Sequence, residues 1–242
     1  MRLYLMPSVT IGKNYLGYTY SPSSGLFRNF AELEPQQDQI LDFASQWGML
    51  TAGSWIALKN KATGAGEPLD VWKTEIADLS LAVRVWDLIT TEDTTGLGQY
   101  FRWQDTSGVL FELPNHRGGR WIAARETNPA LLETLPVGDL IRPAWYQLQH
   151  ILNNKLDGHV SARLLWNTSH TRLSLYQVPK DLISALWLQL ARAIDGDRKY
   201  LQCEECRNWF EVSSPDGGRK DKRYCSTACR ARDWRKTKKG GK

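Results

Sequence analysis

The chain has 242 residues, of which 42% are hydrophobic and eleven are tryptophan, a composition that favours a packed globular body over a disordered chain. The first residues lack the apolar run of a secretion signal, and no stretch reaches the roughly 18 apolar residues of a membrane span, so we expect a cytoplasmic protein without membrane association. Residues 219–242 hold eleven Lys or Arg against two Asp, a local charge of +9, and the remaining residues carry −4 because the whole chain carries +5. A mildly acidic body with a basic end is typical of a protein that contacts a polyanion.

Hydrophobic periodicity predicts an α+β body of mixed helices and strands over residues 1–198. Alternation of apolar and polar residues in the first 30 positions indicates one or two strands at the start. The predicted helices lie at about 35–47, 69–89, 138–156 and 179–195. Strands separated by turns are predicted within 99–125, and a β-hairpin is predicted over 160–178.

Two of these helices lead to specific expectations. In the helix at 138–156, the apolar spacing predicts a buried face made of Ile141, Trp145, Leu148 and Leu152. The last helix is followed by only a few residues before Cys203, which is too short for a free tether. We therefore expect the C-terminal segment to pack close to this helix.

All four cysteines of the chain lie in that segment. They are Cys203, Cys206, Cys225 and Cys229, two close pairs separated by 18 residues. In a chain without an export signal, such pairs are more typical of metal ligands than of disulfides. Four thiolates can surround one tetrahedral Zn2+, so the sequence predicts one structural zinc ion and no open coordination position.

The spacing also predicts how the cysteines are carried. The first pair fits a tight knuckle, and Trp209 begins a strand that leads through a polar turn at 213–218 back to Tyr224. Cys225 and Cys229 are four residues apart, so both can face one ion from the first turn of a helix. Knuckle, hairpin and helix in this order form a treble-clef-like zinc module, which we place at residues 199–242 after the body at 1–198.

The string CEECRNWFEV…KRYCSTACRARDWRK resembles the CGNR-type zinc finger, which is named for a Cys-Gly-Asn-Arg string at its second ligand pair. The matching positions here are Cys229, Arg230, Ala231 and Arg232, so the Cys and the final Arg are kept. In that family the finger follows a larger N-terminal domain called the ABATE domain, and the string at residues 43–48 is similar to a motif of that domain. The resemblance implies a zinc-dependent nucleic-acid-binding regulator of transcription or stress responses.

Basic residues on both sides of the second cysteine pair are the candidate nucleic-acid contacts, because Lys and Arg bind phosphates and Arg can also pair with guanine. They are Arg219, Lys220, Lys222, Arg223, Arg230, Arg232, Arg235, Lys236, Lys238 and Lys239. Among them lies Trp234, which we expect to pack on the knuckle. No helix-turn-helix or base-reading finger pattern is present, and we favour DNA over RNA as the ligand.

Two other classes of function compete with this interpretation. The same charges suit an acidic protein partner, so the alternative is a protein-interaction adaptor whose zinc module binds no nucleic acid. For an enzyme, the four histidines are scattered and none lies between Cys206 and Cys225, and phosphate-binding and nucleophile motifs are missing. We therefore predict no catalytic residues and no organic cofactor.

Overall fold

The structure is a computed structural model, and it describes residues 25–51, 67–113, 119–166, 171–212 and 222–240. The helices are α1 (Leu26–Ala31), α2 (Gln37–Trp47), α3 (Leu69–Thr90), α4 (Thr94–Leu97), α5 (Pro129–Glu133), α6 (Ile141–Leu156), α7 (Leu182–Asp195) and α8 (Thr227–Gly240). The strands are β1 (Phe101–Gln104), β2 (Gly108–Glu112), β3 (Gly119–Ala124), β4 (Val160–Trp166), β5 (Leu173–Pro179), β6 (Tyr200–Gln202) and β7 (Trp209–Glu211). The predicted class, mixed helix and strand with a C-terminal cysteine cluster, is confirmed.

The chain divides into two compact units. One contains the described residues up to Ser80 together with those from Leu156 onward, and the other is Leu81–Lys155. The predicted boundary between residues 198 and 199 falls inside the first unit and stays a prediction. None of the described helices is long and apolar enough to cross a membrane.

An aromatic core organises the first unit. Phe30 of α1 packs edge-on against Phe43 of α2, with ring centroids 5.3 Å apart, and both rings lie about 6 Å from the indole of Trp72 in α3. Trp187 of α7 is fully buried, and its indole N–H donates to the Glu75 carboxylate at 3.3 Å. These large rings remove much apolar area from water, which stabilises the helices that carry them.

Helix α7 follows the predicted pattern. Asp181 caps its start by accepting a hydrogen bond from the Ser184 amide at 3.0 Å, and Gly196 follows its last residue. The Phe27 amide of α1 donates to the Gln189 side chain of α7 at 3.2 Å, so these two helices are joined by a hydrogen bond as well as by packing.

The predicted hairpin is formed by β4 and β5, which pair antiparallel from Val160 opposite Pro179 to Trp166 opposite Leu173. One face of this hairpin exposes Leu164, Trp166, Leu173 and Leu175. In the second unit, β1, β2 and β3 form an antiparallel sheet in that order, as the predicted strands within 99–125 require.

Two predictions about the body are wrong in part. Residues 26–31 are helical, not extended: Leu26, Phe27, Phe30 and Ala31 are buried as two adjacent pairs four residues apart, which is the period of a helix and not that of a strand. Residues 1–24, which hold the rest of that predicted region, lie outside the described residues. In α6 the buried side contains Ala144, Leu148 and Leu152, at a spacing of four, whereas Trp145 is 39% exposed. The small Ala144 occupies the inward position. Because successive residues of a helix are about 100° apart, the neighbouring Trp145 is directed away from the buried side.

Candidate metal centre

The first cysteine pair lies in the turn between β6 and β7. These strands pair antiparallel, with Leu201 opposite Phe210, and the turn is closed by hydrogen bonds from the Cys203 amide to the Asn208 carbonyl (3.0 Å) and from the Arg207 amide to the Cys203 carbonyl (2.8 Å). The backbone of Arg207 adopts the left-handed conformation (φ 61°), which completes the reversal of the chain direction. The knuckle is therefore held by the backbone of the hairpin that contains it.

The strand predicted at Trp209 is present, but its partner differs from the prediction. β7 pairs with β6, which precedes the knuckle, and Tyr224 belongs to no strand. Instead, the Glu204 amide donates to the Arg223 carbonyl at 3.1 Å, which brings the chain before the second cysteine pair against the knuckle. The polar turn predicted at 213–218 lies outside the described residues.

The second pair lies at the start of α8, as predicted. Cys225 precedes the helix, Cys229 is in its first turn, and the Ser226 hydroxyl between them accepts a hydrogen bond from the Cys229 amide at 3.2 Å. A serine in this position satisfies one of the amides that a helix start leaves unpaired. The cap therefore fixes the first turn of α8 and with it the direction of the Cys229 side chain.

The four sulfur atoms lie within 4.8 Å of one another. Cys225 Sγ is 3.6 Å from Cys206 Sγ and 3.5 Å from Cys229 Sγ, and all four cysteines are free. These separations exceed the ~2.05 Å of a disulfide and approach the edge of roughly 3.8 Å that a tetrahedron with Zn–S bonds of about 2.3 Å would have. Cys203 and Cys229 are buried, whereas Cys206 and Cys225 are half-buried. Four cysteines so placed can hold one metal ion.

Two of the thiols are stabilised as thiolates by nearby donors. Hydrogen bonding to Ser226 and to the Arg232 guanidinium, whose Nη2 is 2.9 Å from Cys229 Sγ, lowers the pKa of Cys229 to about 6. Burial opposes ionisation of Cys203, but the backbone amides of Cys206, Cys225 and Glu205 outweigh it and lower the pKa of that thiol.

The other two thiols are held in their protonated form. Burial, followed by hydrogen bonding to the other cysteines, raises the pKa of Cys225 to about 12. Burial is also the main reason that the pKa of Cys206 is raised. A bound cation would remove both protons, because a metal ligand must be a thiolate. The four sulfurs thus need a positive charge among them to ionise together.

Three of the predicted nucleic-acid contacts are engaged inside the cysteine segment. The Arg223 guanidinium pairs with Glu204 (Nε to Oε1, 2.6 Å), and the Lys236 ammonium pairs with Glu205 (2.7 Å). Arg232 contacts the Cys229 sulfur. These three side chains compensate negative charge next to the four cysteines. The sequence analysis missed this role, although Arg232 lies only three residues after Cys229.

The other predicted contacts lie outside this charge network or outside the described residues. Arg230, Arg235 and Lys238 are exposed on α8, and the Lys222 ammonium lies 5.3 Å from the centre of the Phe210 ring. Arg219, Lys220 and the side chain of Lys239 are not among the described residues. The expectation that Trp234 packs on the knuckle is wrong, because its side chain is 57% exposed and lies 4.2 Å from the Lys238 ammonium.

The cysteine segment contacts α1. The Trp209 amide donates to the Asn29 side chain at 2.9 Å, and the Arg28 guanidinium lies 4.8 Å from the Trp209 ring centre and 5.5 Å from that of Tyr200. A Cβ on Gly25, whose φ is +105°, would be 2.7 Å from the Trp209 carbonyl oxygen. The short connection from α7 thus leads to packing on α1, the helix that α7 itself contacts.

Together, the sulfurs, their hydrogen-bond donors and the paired charges describe a four-cysteine site that can hold a metal ion. Among the residues that the structure describes, it is the one group of His, Cys, Asp or Glu side chains placed to do so. No protein-family model, curated protein or solved structure matches the chain.

Proposed function

We propose that residues 199–242 form a zinc-dependent nucleic-acid-binding module of a regulatory protein, with Cys203, Cys206, Cys225 and Cys229 as the ligands of one structural Zn2+. Sulfur separations near 3.5 Å at four free cysteines support this ion, because thiolates in tetrahedral geometry are its preferred structural site. A treble-clef-like finger of the CGNR type, ending an ABATE-like body, remains the family proposal.

The small core of this segment supports a structural role for the metal. Its buried residues are Cys203, Phe210 and Cys229, and the residues packed around them include two more cysteines. Phe210, with the partly buried Val212 and Tyr224, removes too little apolar surface from water to fold some 40 residues. Binding of the metal would therefore provide most of the folding free energy of the segment.

The observation that carries the nucleic-acid proposal is the separation of charge around α8. On its inner side, Arg232 contacts the Cys229 sulfur, Lys236 pairs with Glu205, and Asp233 accepts from the Tyr224 hydroxyl at 2.7 Å. The outer face, defined here as Arg230, Trp234, Arg235 and Lys238, contains no acidic residue. At about 100° per residue these four positions span roughly 140° of the helix.

Such a face attracts phosphates. Among the described residues, Arg230 has no ion-pair partner, and the cations of the outer face are not neutralised by a carboxylate. Contacts to phosphates position a protein on nucleic acid without reading its sequence. We propose that the regulator is non-catalytic, because four thiolates would leave the metal no position for a reactive water. We further propose that it acts in the cytoplasm and binds DNA in preference to RNA.

A salt series on the full-length, zinc-loaded protein tests the proposal. Binding of fluorescent duplex DNA should weaken with salt at a slope of log K against log salt of about −5, if five or six phosphates are neutralised. Replacing Arg230, Arg235 and Lys238 by Gln should make that slope shallower by about 3. Full-length variants are preferable to truncation, because removing the module would expose the surface of α1 that contacts Trp209.

The matched control removes the same charge elsewhere. Replacing the exposed Arg84, Arg125 and Lys180 by Gln lowers the net charge equally and should leave the slope within about 1 of the parent value. Equal losses in the two triple variants would show a general charge effect and refute the assignment to α8. A protein that binds no DNA or RNA at about 50 mM salt but forms a stable complex with an acidic protein would favour the adaptor alternative.

A further inference from the structure

The outer face of α8 presents an aromatic ring among its cations. Arg230, Trp234 and Lys238 are spaced by four residues, so each side chain lies about 40° around the helix from the next. Trp234 is 57% exposed, and the Lys238 ammonium lies 4.2 Å from the centre of its ring. A planar apolar group therefore lies between two groups that can bind phosphates.

We propose that this face binds single-stranded nucleic acid and that Trp234 stacks on a base, with Arg230 and Lys238 binding the flanking phosphates. The inference rests on the proposed function and specifies its ligand. In a duplex the bases are stacked on one another, so an exposed indole would meet only sugar and phosphate. In a single strand a base can leave its neighbours and stack on an aromatic side chain, while the backbone follows nearby cations.

The cations around the Trp234 ring favour a single strand over an apolar ligand on this face. Trp166 on β4 is equally exposed, at 58%, but it lies in the apolar hairpin face beside Leu164 and Leu173. Trp234 instead lies on a face that repels cations and attracts polyanions. A ligand that satisfies both the ring and the cations must combine planar groups with regularly spaced negative charge, as a single strand does.

Three ligands of equal length test the proposal by fluorescence anisotropy with full-length, zinc-loaded protein. They are a thymine single strand of about 15 nucleotides, a duplex of that length, and a single strand of abasic sites with the same phosphates. Trp234→Ala should weaken binding of the thymine strand by about tenfold, within the roughly 5- to 150-fold range expected for one stacked base. Binding of the duplex and of the abasic strand should change by less than about twofold, since neither ligand offers a free base.

Two substitutions separate stacking from apolar contact. Trp234→Phe keeps a planar ring and should retain affinity for the thymine strand within about threefold, whereas Trp234→Leu should lose it as Trp234→Ala does. Trp166→Ala is the control for an exposed tryptophan outside α8 and should bind as the parent does. Zinc content and thermal unfolding of each variant show that the module remains folded.

The outcomes distinguish this inference from the function on which it rests. Equal weakening of strand and duplex by Trp234→Ala, an unchanged thymine-strand affinity, or full affinity in Trp234→Leu would each overturn stacking. If stacking is refuted in this way but the Arg230, Arg235 and Lys238 triple variant still loses affinity for nucleic acid, then α8 binds nucleic acid without stacking by Trp234. If the parent protein binds none of the three ligands at about 50 mM salt, the proposed function itself fails.

Discussion

The aromatic core of the first unit and the cysteine module are held together in different ways. Around Phe30, Phe43 and Trp72, ring packs on ring, and the apolar area removed from water stabilises the helices. Around Cys203 and Cys229 the core is small: Phe210 is buried with them, Val212 and Tyr224 pack against it, and the surrounding contacts include hydrogen bonds and ion pairs. The aromatic core can thus be stabilised by apolar burial, whereas the proposed metal would supply the stability that the small core of the cysteine module lacks.

The two regions meet at α1. Arg28 is nearly buried among the rings of Phe27, Tyr200 and Trp209, and the Asn29 side chain accepts a hydrogen bond from the Trp209 backbone. The same short helix places Phe30 in the aromatic core. Because α1 contacts both regions, a change that weakens one should reach the other through this contact.

Cys225→Ser should have the largest effect of the substitutions considered, and the effect should fall on the cysteine module. Loss of one ligand should reduce the zinc content below one per chain and unfold α8, because structural zinc sites supply about 10–16 kcal/mol of binding free energy. Metal analysis and far-UV circular dichroism measure both effects. The adjacent Ser226→Ala keeps all four sulfurs but removes the cap of α8 and a hydrogen bond to Cys229, so it should cost about 1 kcal/mol while the zinc content stays at one per chain. Full zinc content in the Cys225 variant would refute the four-cysteine site.

Phe43→Ala should have the opposite pattern. The ring is buried against Phe30 and Trp72, so its removal should lower the free energy of unfolding of the body by about 3–5 kcal/mol. Urea unfolding followed by tryptophan fluorescence measures this loss. Zinc content should stay at one per chain, and Phe43→Leu should show a smaller loss. Release of zinc from folded Phe43→Ala protein would show that the two regions are not separately stabilised.

Gly25→Ala tests the contact between the regions. A Cβ there would meet the Trp209 carbonyl oxygen at 2.7 Å on a backbone with φ +105°, and we expect a loss of about 2–4 kcal/mol in the free energy of unfolding. Gly138→Ala provides the control for backbone strain alone, because φ is +87° there and nothing lies within 4 Å of the added Cβ. It should lose only about 1 kcal/mol. Equal losses in thermal unfolding would indicate that contact with Trp209 contributes nothing.

Arg232→Ala and Arg235→Ala compare the two sides of α8. Arg232 bonds the Cys229 sulfur, so its loss should weaken zinc binding by about 10- to 100-fold in competition with a chelator. Arg235 instead donates to the Ala231 carbonyl on the outer face, and its loss should leave zinc affinity unchanged while weakening nucleic-acid binding. Equal zinc affinities in the two variants would remove the distinction between inner and outer basic residues.

The smallest expected effect is a pH dependence from Tyr200. Burial, with the Glu211 carboxylate as the next cause, raises the pKa of this hydroxyl from 10.0 to about 12. A raised pKa stabilises the neutral form, so its contribution is fully present below pH 10 and is lost as the pH rises through about 12. After allowance for solvent screening this is at most about 2 kcal/mol. Unfolding of the parent and of Tyr200→Phe should diverge across this range, and parallel pH profiles would contradict the prediction.

Local pattern predicted most of the described helices and strands. The stripe of Ile40, Phe43 and Ala44 predicted α2, and alternation around a polar turn predicted the β4–β5 hairpin. These predictions succeed because an amphipathic period reports which side of an element is buried. It fails where the window is short, as at residues 26–31, and where a small residue takes the inward position, as Ala144 does beside Trp145.

The cysteine spacing, by itself, determined the candidate site. Two pairs on a knuckle and on a first helical turn can meet only in a few ways, and the sulfurs do lie within 4.8 Å of one another. The tertiary structure alone decided which basic residues serve that site and which remain outward. Arg232 and Arg235 look alike in the sequence, but the direction of α8 from its Ser226 cap turns the first toward sulfur and the second away.

Tertiary structure also decided where the module lies. No local pattern links Gly25, Arg28 and Asn29 to Tyr200 and Trp209, because residues about 180 positions apart meet only when the whole unit has folded. The sequence by itself determined the candidate ligand set, the basic end and most of the helical faces, since these depend on spacing along one element. The docking on α1 and the outward ring of Trp234 depend on distances between elements, which only the folded chain sets.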